Sequence, residues 1–107
     1  MPFKCNEPAV PTLQHEDSAV KITRWDFAPG AATGWHTHGW PYFVVLLTDA
    51  IMKVEAATGE MSEVRLKAGQ TYRRPAGVEH DVMNGSNDRM AFVEIEIKRP
   101  KELALAQ

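Results

Sequence analysis

Cysteine occurs once in the 107 residues, at Cys5, so the chain cannot close an internal disulfide and nothing in it calls for an oxidising compartment. That thiol lies in a polar, proline-containing segment and reads as incidental. A basic excess is missing too. Twelve Lys and Arg against fourteen Asp and Glu leave a formal net charge of -2, which supplies no field for nucleic acid or an anionic membrane. No apolar run is long enough to span a bilayer, and the opening MPFKCNEPAVPTLQ lacks the apolar core of a signal peptide. The chain is therefore expected in the cytoplasm, without nucleic-acid or membrane partners. Internal repeats, low-complexity tracts and convincing helical periodicity are absent as well. The length fits one small domain that buries about two-thirds of its unfolded surface.

What is present is a series of short strand-like segments separated by turn signals. VKITRWDF precedes the loop APGAATG, TDA leads into IMKVEA, ATGE into MSEVRL, KAGQ into TYRR, PAG into VEHDVM, and NGSNDR into MAFVEIEI. Turns at this spacing predict an all-β antiparallel sandwich or barrel. WPYFVVLL is apolar on both parities, as expected of a strand covered on two sides. The last strand alternates, with Ala91, Val93, Ile95 and Ile97 on one face and Met90, Phe92, Glu94 and Glu96 on the other. Residues 1–18, with three prolines, read as an extended arm, residues 19–98 as the folded domain, and residues 99–107 as a tail that forms a short helix or frays.

Histidine is scarce, yet two of the four fall at His36 and His38 in GWHTHGW. Residues two apart in a strand point to the same face, where two imidazoles repel if protonated and gain little as neutral core groups. A third, His80, follows Pro75 and Gly77, which allow a tight turn back into a strand. Three such nitrogens can build a metal site, but unliganded surface or core histidines fit the same residues equally well.

The spacing of the whole set carries a resemblance. Gly30, five residues, His36, one residue, His38 resembles the start of the first motif of the cupin family. Gly69, five residues, Pro75, one residue, Gly77, two residues, His80, three residues, Asn84 matches every defined position of the second. Over residues 19–98 the chain resembles small single-domain bacterial cupins, among them those labelled β-alanine degradation proteins. The resemblance implies a jelly-roll β-barrel holding one divalent transition metal per chain (iron, nickel, zinc, manganese or copper), with His36, His38 and His80 as ligands. Many cupins add a glutamate three or four residues after the second histidine and a glycine seven further on; here those positions hold Tyr42 and Asp49, or Phe43 and Ala50. Three neutral ligands leave the metal's charge uncompensated and coordination positions free for water or an anionic substrate.

Tyr42 is the expected catalytic residue, its hydroxyl donating a hydrogen bond to the metal's ligand. Arg73 and Arg74 face opposite ways, so one of them is available to bind a carboxylate. Glu94 and Glu96 could orient a histidine, although at least one of them is expected to be exposed. Trp35 and Trp40 could roof the pocket or lie at a subunit interface. Glu79 should point away from the metal, His15 into solvent, and Asn84 should form a turn. No general base is evident beside the histidines, which argues against proton abstraction more than against redox chemistry or binding. The expected function is that of a metal-dependent enzyme, oxygenase- or isomerase-like, acting on a small anionic metabolite. The alternative is a non-catalytic metal or small-ligand binding module. A homodimer is expected, because so small a β domain has edges to cover.

Overall fold

The computed structural model describes residues 7–99, and its regular structure is entirely strand: β1 (Val10–Glu16), β2 (Val20–Phe27), β3 (His36–Thr37), β4 (Tyr42–Leu46), β5 (Ala50–Ala56), β6 (Met61–Leu66), β7 (Thr71–Arg74), β8 (Glu79–Asn84) and β9 (Met90–Ile97). Cys5 and the tail KELALAQ lie outside the described residues. Every ladder is antiparallel. They build a five-stranded sheet in the order β1-β2-β9-β4-β7 and a four-stranded sheet in the order β3-β8-β5-β6. The two sheets face one another in the jelly-roll manner. Among the described residues, β1 and β7 at the edges of one sheet form no ladder with β3 and β6 at the edges of the other, so the sandwich stays open along two seams and is not the closed barrel that the resemblance implied. Part of the segment read as an arm is a paired edge strand: β1 runs along β2 from Val10 opposite Asp26 to Glu16 opposite Lys21.

Alternation decides what the sandwich buries, and one expectation changes here, that for β4. In β9 the inner face is Met90, Phe92, Glu94 and Glu96, the less apolar of its two faces, while Val93, Ile95 and Ile97 point outward. In β4 the inner side chains are Tyr42, Val44 and Leu46; Phe43 is 37% exposed, so the strand is covered on one side only. The reason is register. Phe27 of β2 pairs with Met90 and Tyr42 of β4 with Glu96, so turning β9 over would eject Phe27, Phe92 and Leu46 together.

The inner rows change character along the strands. At one end Phe27, Leu46, Met90, Phe92 and Val44 form an apolar core, with the Phe27 and Phe92 rings 5.3 Å apart and tilted. Asn84, 1% exposed, closes this end: its Nδ2 donates to the carbonyls of Phe27, Ala28 and Asp88, and its Oδ1 accepts from the Ser86 backbone and hydroxyl. It is thus the turn-forming residue expected. At the other end, two to four residues further along β2, β4 and β9, stand Thr23, Tyr42, Glu94 and Glu96, with His80 of β8 facing them.

Candidate metal centre

Each histidine reaches this polar end by a different device. His36 lies in β3 opposite His80 of β8, so their side chains share the inner face. His38 lies just beyond β3 and is fixed by its backbone, whose N–H donates to Val78 O and whose carbonyl accepts from Gly77 N at 2.9 and 2.8 Å. Gly77 makes this turn with a φ of 90°, a region that side chains with a Cβ rarely enter. The Nε2 atoms of His36 and His38 then lie 3.0 Å apart, and those of His38 and His80 3.2 Å apart. All three offer a donor atom to one point.

Protons alone do not satisfy this geometry. His36 Nδ1 lies 2.9 Å from the carbonyl of Gly34, which can only accept, so Nδ1 holds the proton and the bare Nε2 faces the cluster. His38 Nε2 carries at most one hydrogen and cannot bond both neighbours well. A second proton is disfavoured: burial, then the neighbouring His36, pushes His38 down to about 4, and burial with the other imidazoles pushes His80 down to about 3. Neutral imidazole nitrogens about 3 Å apart around one point are the donor set of a first-row divalent ion, whose bonds to nitrogen are about 2.0–2.1 Å. The residues present therefore fit the metal.

Around the nitrogens stand groups that the sequence reading undervalued. Glu94 is 8% exposed, and its Oε2 lies 3.8 Å from His38 Nε2 while its Oε1 accepts from Trp25 Nε1 at 3.1 Å. Burial raises it to about 7, against the opposing pull of the Trp25 hydrogen bond. With His38 neutral this contact is a proximity and not an ion pair. Glu96 is also raised by burial, and its Oε2 lies 4.0 Å from His38 Nδ1. Both glutamates face inward, against the expectation that one is exposed, and a general base is therefore present beside the histidines. Two carboxylates on the parity of Phe92 were the available signal; the more apolar opposite face obscured it.

Tyr42 is 1% exposed and stacks on the His38 ring at 3.9 Å, with burial raising its phenol well above the usual range. It sits in β4 of the opposite sheet from β3, so it meets the histidines across the sandwich and not through shared strand parity. Arg74, exposed at the edge of the sheet, pairs with Tyr42 on the face that lines the smaller cavity, whereas Arg73 lies over the outer face of Phe43 at 5.9 Å. Trp35 and Trp40 are both exposed and line neither cavity beside the histidines; the tryptophan that does is Trp25. Glu79 is exposed, meeting Thr37, and His15 pairs with Asp17 at the surface.

Two cavities meet at the histidines. One, of about 470 Å³, opens between β1, β2 and β3 and is the more polar of the two, with Glu16, Lys21, His36, His38, Glu94 and Glu96 beside Pro11, Leu13 and Trp25. The other, of about 230 Å³, lies between β6 and β7 against Tyr42 and His80. A surface concavity of about 480 Å³ near Asp49 and Arg89 touches none of the histidines.

A jelly roll with inward histidines at one end is the architecture of a metal-binding class of β protein. Residues 23–96 match the cupin domain family, and the chain belongs to it. It is 51% identical over 90 residues to the beta-alanine degradation protein BauB of Pseudomonas aeruginosa, covering 84% of this chain and 94% of that protein. A cupin domain protein of Bordetella pertussis, known from its crystal structure, is 44% identical with a TM-score of 0.83, covering 87% of this chain and 96% of that one. An RmlC-like cupin of Methanocaldococcus jannaschii with a double-stranded β-helix fold shares the fold at 17% identity, TM-score 0.72, covering 94% and 90% of the two chains.

Proposed function

We propose that this cupin holds one divalent transition metal on His36, His38 and His80 and is an enzyme, oxygenase- or isomerase-like, acting on a small anionic metabolite. The observation that carries the reading is the convergence of three Nε2 donors beside a buried carboxylate, Glu94. When bound, the metal supplies Lewis-acid polarisation of a substrate oxygen or a binding position for dioxygen. The chain's own residues supply the rest. Glu94, buried beside His38, takes or returns a proton at its carboxylate, and Trp25 keeps it aimed. Tyr42, kept protonated by burial, donates a hydrogen bond to an oxygen of the substrate. A small carboxylated metabolite agrees with the degradation role in the name of the Pseudomonas relative.

Metal analysis of protein from unsupplemented cells should find one divalent ion per chain, and His36→Ala, His38→Ala and His80→Ala should each lower that content and the melting temperature together. Unchanged stoichiometry in all three variants overturns the metal site. An aerobic screen of small carboxylates with each metal should yield oxygen uptake or an isomerised product. Tight binding without turnover under every metal replaces the enzyme with a binding module.

The chain is proposed to act as a cytoplasmic homodimer; among the described residues no helix is long and apolar enough to cross a membrane. The outer face of the five-stranded sheet supports the dimer, since Ile22, Ile95 and Phe43 stand side by side in register across β2, β9 and β4. Light scattering at micromolar concentration should give twice the chain mass, and Phe43→Lys should return a monomer.

A further inference from the structure

We infer that the ligand of this site is a small monocarboxylate that enters through the seam between β6 and β7, pairs its carboxylate with Arg74 and lays an apolar body against Met52, Val54, Val64, Leu66 and Val82. The inference rests on reading the three histidines as a metal centre and specifies what that centre receives. The two cavities that meet there differ in chemistry. His36 and His38 face the polar one, with Glu16, Glu94 and Glu96 against the single cation Lys21. His80 and Tyr42 face the other, whose walls are aliphatic and whose charged lining residue is Arg74. Arg74 makes no ion pair or hydrogen bond with another described residue, which leaves its planar fork free for a carboxylate.

Register sets the direction in which a ligand must lie. Across the inner face one row reads Arg74 on β7, Tyr42 on β4, Glu96 on β9 and Lys21 on β2. At a strand spacing of about 4.8 Å, the Arg74 and Glu96 backbones are about 10 Å apart with Tyr42 between them. An anion is thus favoured at the Arg74 end and opposed at the glutamate end. A second carboxylate on the same small molecule would meet Glu94 and Glu96, and an amine would meet Arg74. The cavity of about 230 Å³ lies below the roughly 300 Å³ floor of drug-sized pockets, so the fitting ligand is of metabolite size. Because β6 and β7 form no ladder, the route needs no strand to separate.

The test uses the zinc-loaded full chain, with methyl-labelled Val and Leu followed by NMR during titration with butyrate, butylammonium and 1-butanol. Butyrate should shift the methyls of Val54, Val64 and Leu66 and leave that of Leu13, at the opposite mouth, unmoved. Arg74→Gln should weaken butyrate binding at least tenfold with zinc content unchanged, while Arg73→Gln should leave it as in the parent, and butylammonium should bind more weakly than butyrate. Butyrate affinity indifferent to Arg74→Gln, or shifts centred on Leu13, overturns the inference while zinc binding upholds the metal site. Arg74-dependent butyrate binding in a chain that takes up no zinc upholds the chamber and overturns the metal site.

Discussion

The two ends of the sandwich are built from the same strands with the same alternation, yet they do opposite things with burial. At the apolar end β2, β4 and β9 contribute Phe27, Leu46, Met90 and Phe92; two to four residues along, they contribute Thr23, Tyr42, Glu94 and Glu96. Burial stabilises the first set, because apolar surface leaves water. It opposes the ordinary ionisation of the second set, lifting Glu94 and depressing His38 and His80. One end therefore supplies stability that the other gives up in part for chemistry.

The largest expected effect separates the ends outright. Phe27→Ala should cost about 3–5 kcal/mol of unfolding free energy whether metal is present or chelated, because it leaves a cavity at a fully buried position. His80→Ala should be far milder in chelated protein and should abolish only the stabilisation that added metal confers. Denaturant melts with and without chelator measure both. Equal losses in the two variants under chelation would remove the distinction between the ends.

A smaller effect is expected at Tyr42, which belongs to both regions. Tyr42→Phe keeps the ring stacked on His38 and removes only the hydroxyl, so metal content and melting should stay close to the parent. Turnover or ligand binding should weaken by about 1.5–3 kcal/mol, the range for one hydrogen bond to a charged group. Loss of metal in this variant would make Tyr42 a ligand, and no change in either property would make it core packing alone.

Glu94→Gln sharpens the contrast from the other side. In chelated protein at pH 8 the substitution should stabilise the fold by on the order of 1–3 kcal/mol, since a carboxylate raised to about 7 is ionised there against the preference of its site. Below pH 4.5, the ordinary value of the carboxylate, the gain should vanish. Activity should fall sharply at both values if this carboxylate moves the proton.

The most diagnostic effect is the pH profile of the chelated parent. Between the ordinary histidine value of 6.5 and about 4, the unfolded chain binds protons that folded His38 and His80 refuse, so these two make stability fall as pH drops. Glu94 acts in the reverse sense: between 4.5 and about 7 the folded chain holds a proton that the unfolded chain has released, so its contribution falls as pH rises. Two histidines against one carboxylate predict stability that climbs from pH 4 to about 7 and then levels off. Melts from pH 4 to 8 check this, and the climb should be steeper in Glu94→Gln.

Much of this was legible from residue order alone. The strands follow from turn residues and short alternating runs, and the histidine cluster from the family resemblance carried by the intervals between Gly30, His36, His38, Gly69, Pro75, Gly77, His80 and Asn84. Asn84 and Glu79 were likewise readable from position. What only the tertiary structure decided is which face of each strand turns inward, because alternation defines two faces and the partner strands choose between them. In β9 the sequence names two faces without a choice between them; the register with Phe27 and Tyr42 puts Glu94 and Glu96 inside, and with them the buried carboxylate beside His38. The stacking of Tyr42 on His38, the placing of Arg74 on the cavity face and Arg73 on the outer one, and the open seam between β6 and β7 are contacts between strands distant in the chain. Local spacing carries no information about them, since they exist only once two sheets have been brought face to face.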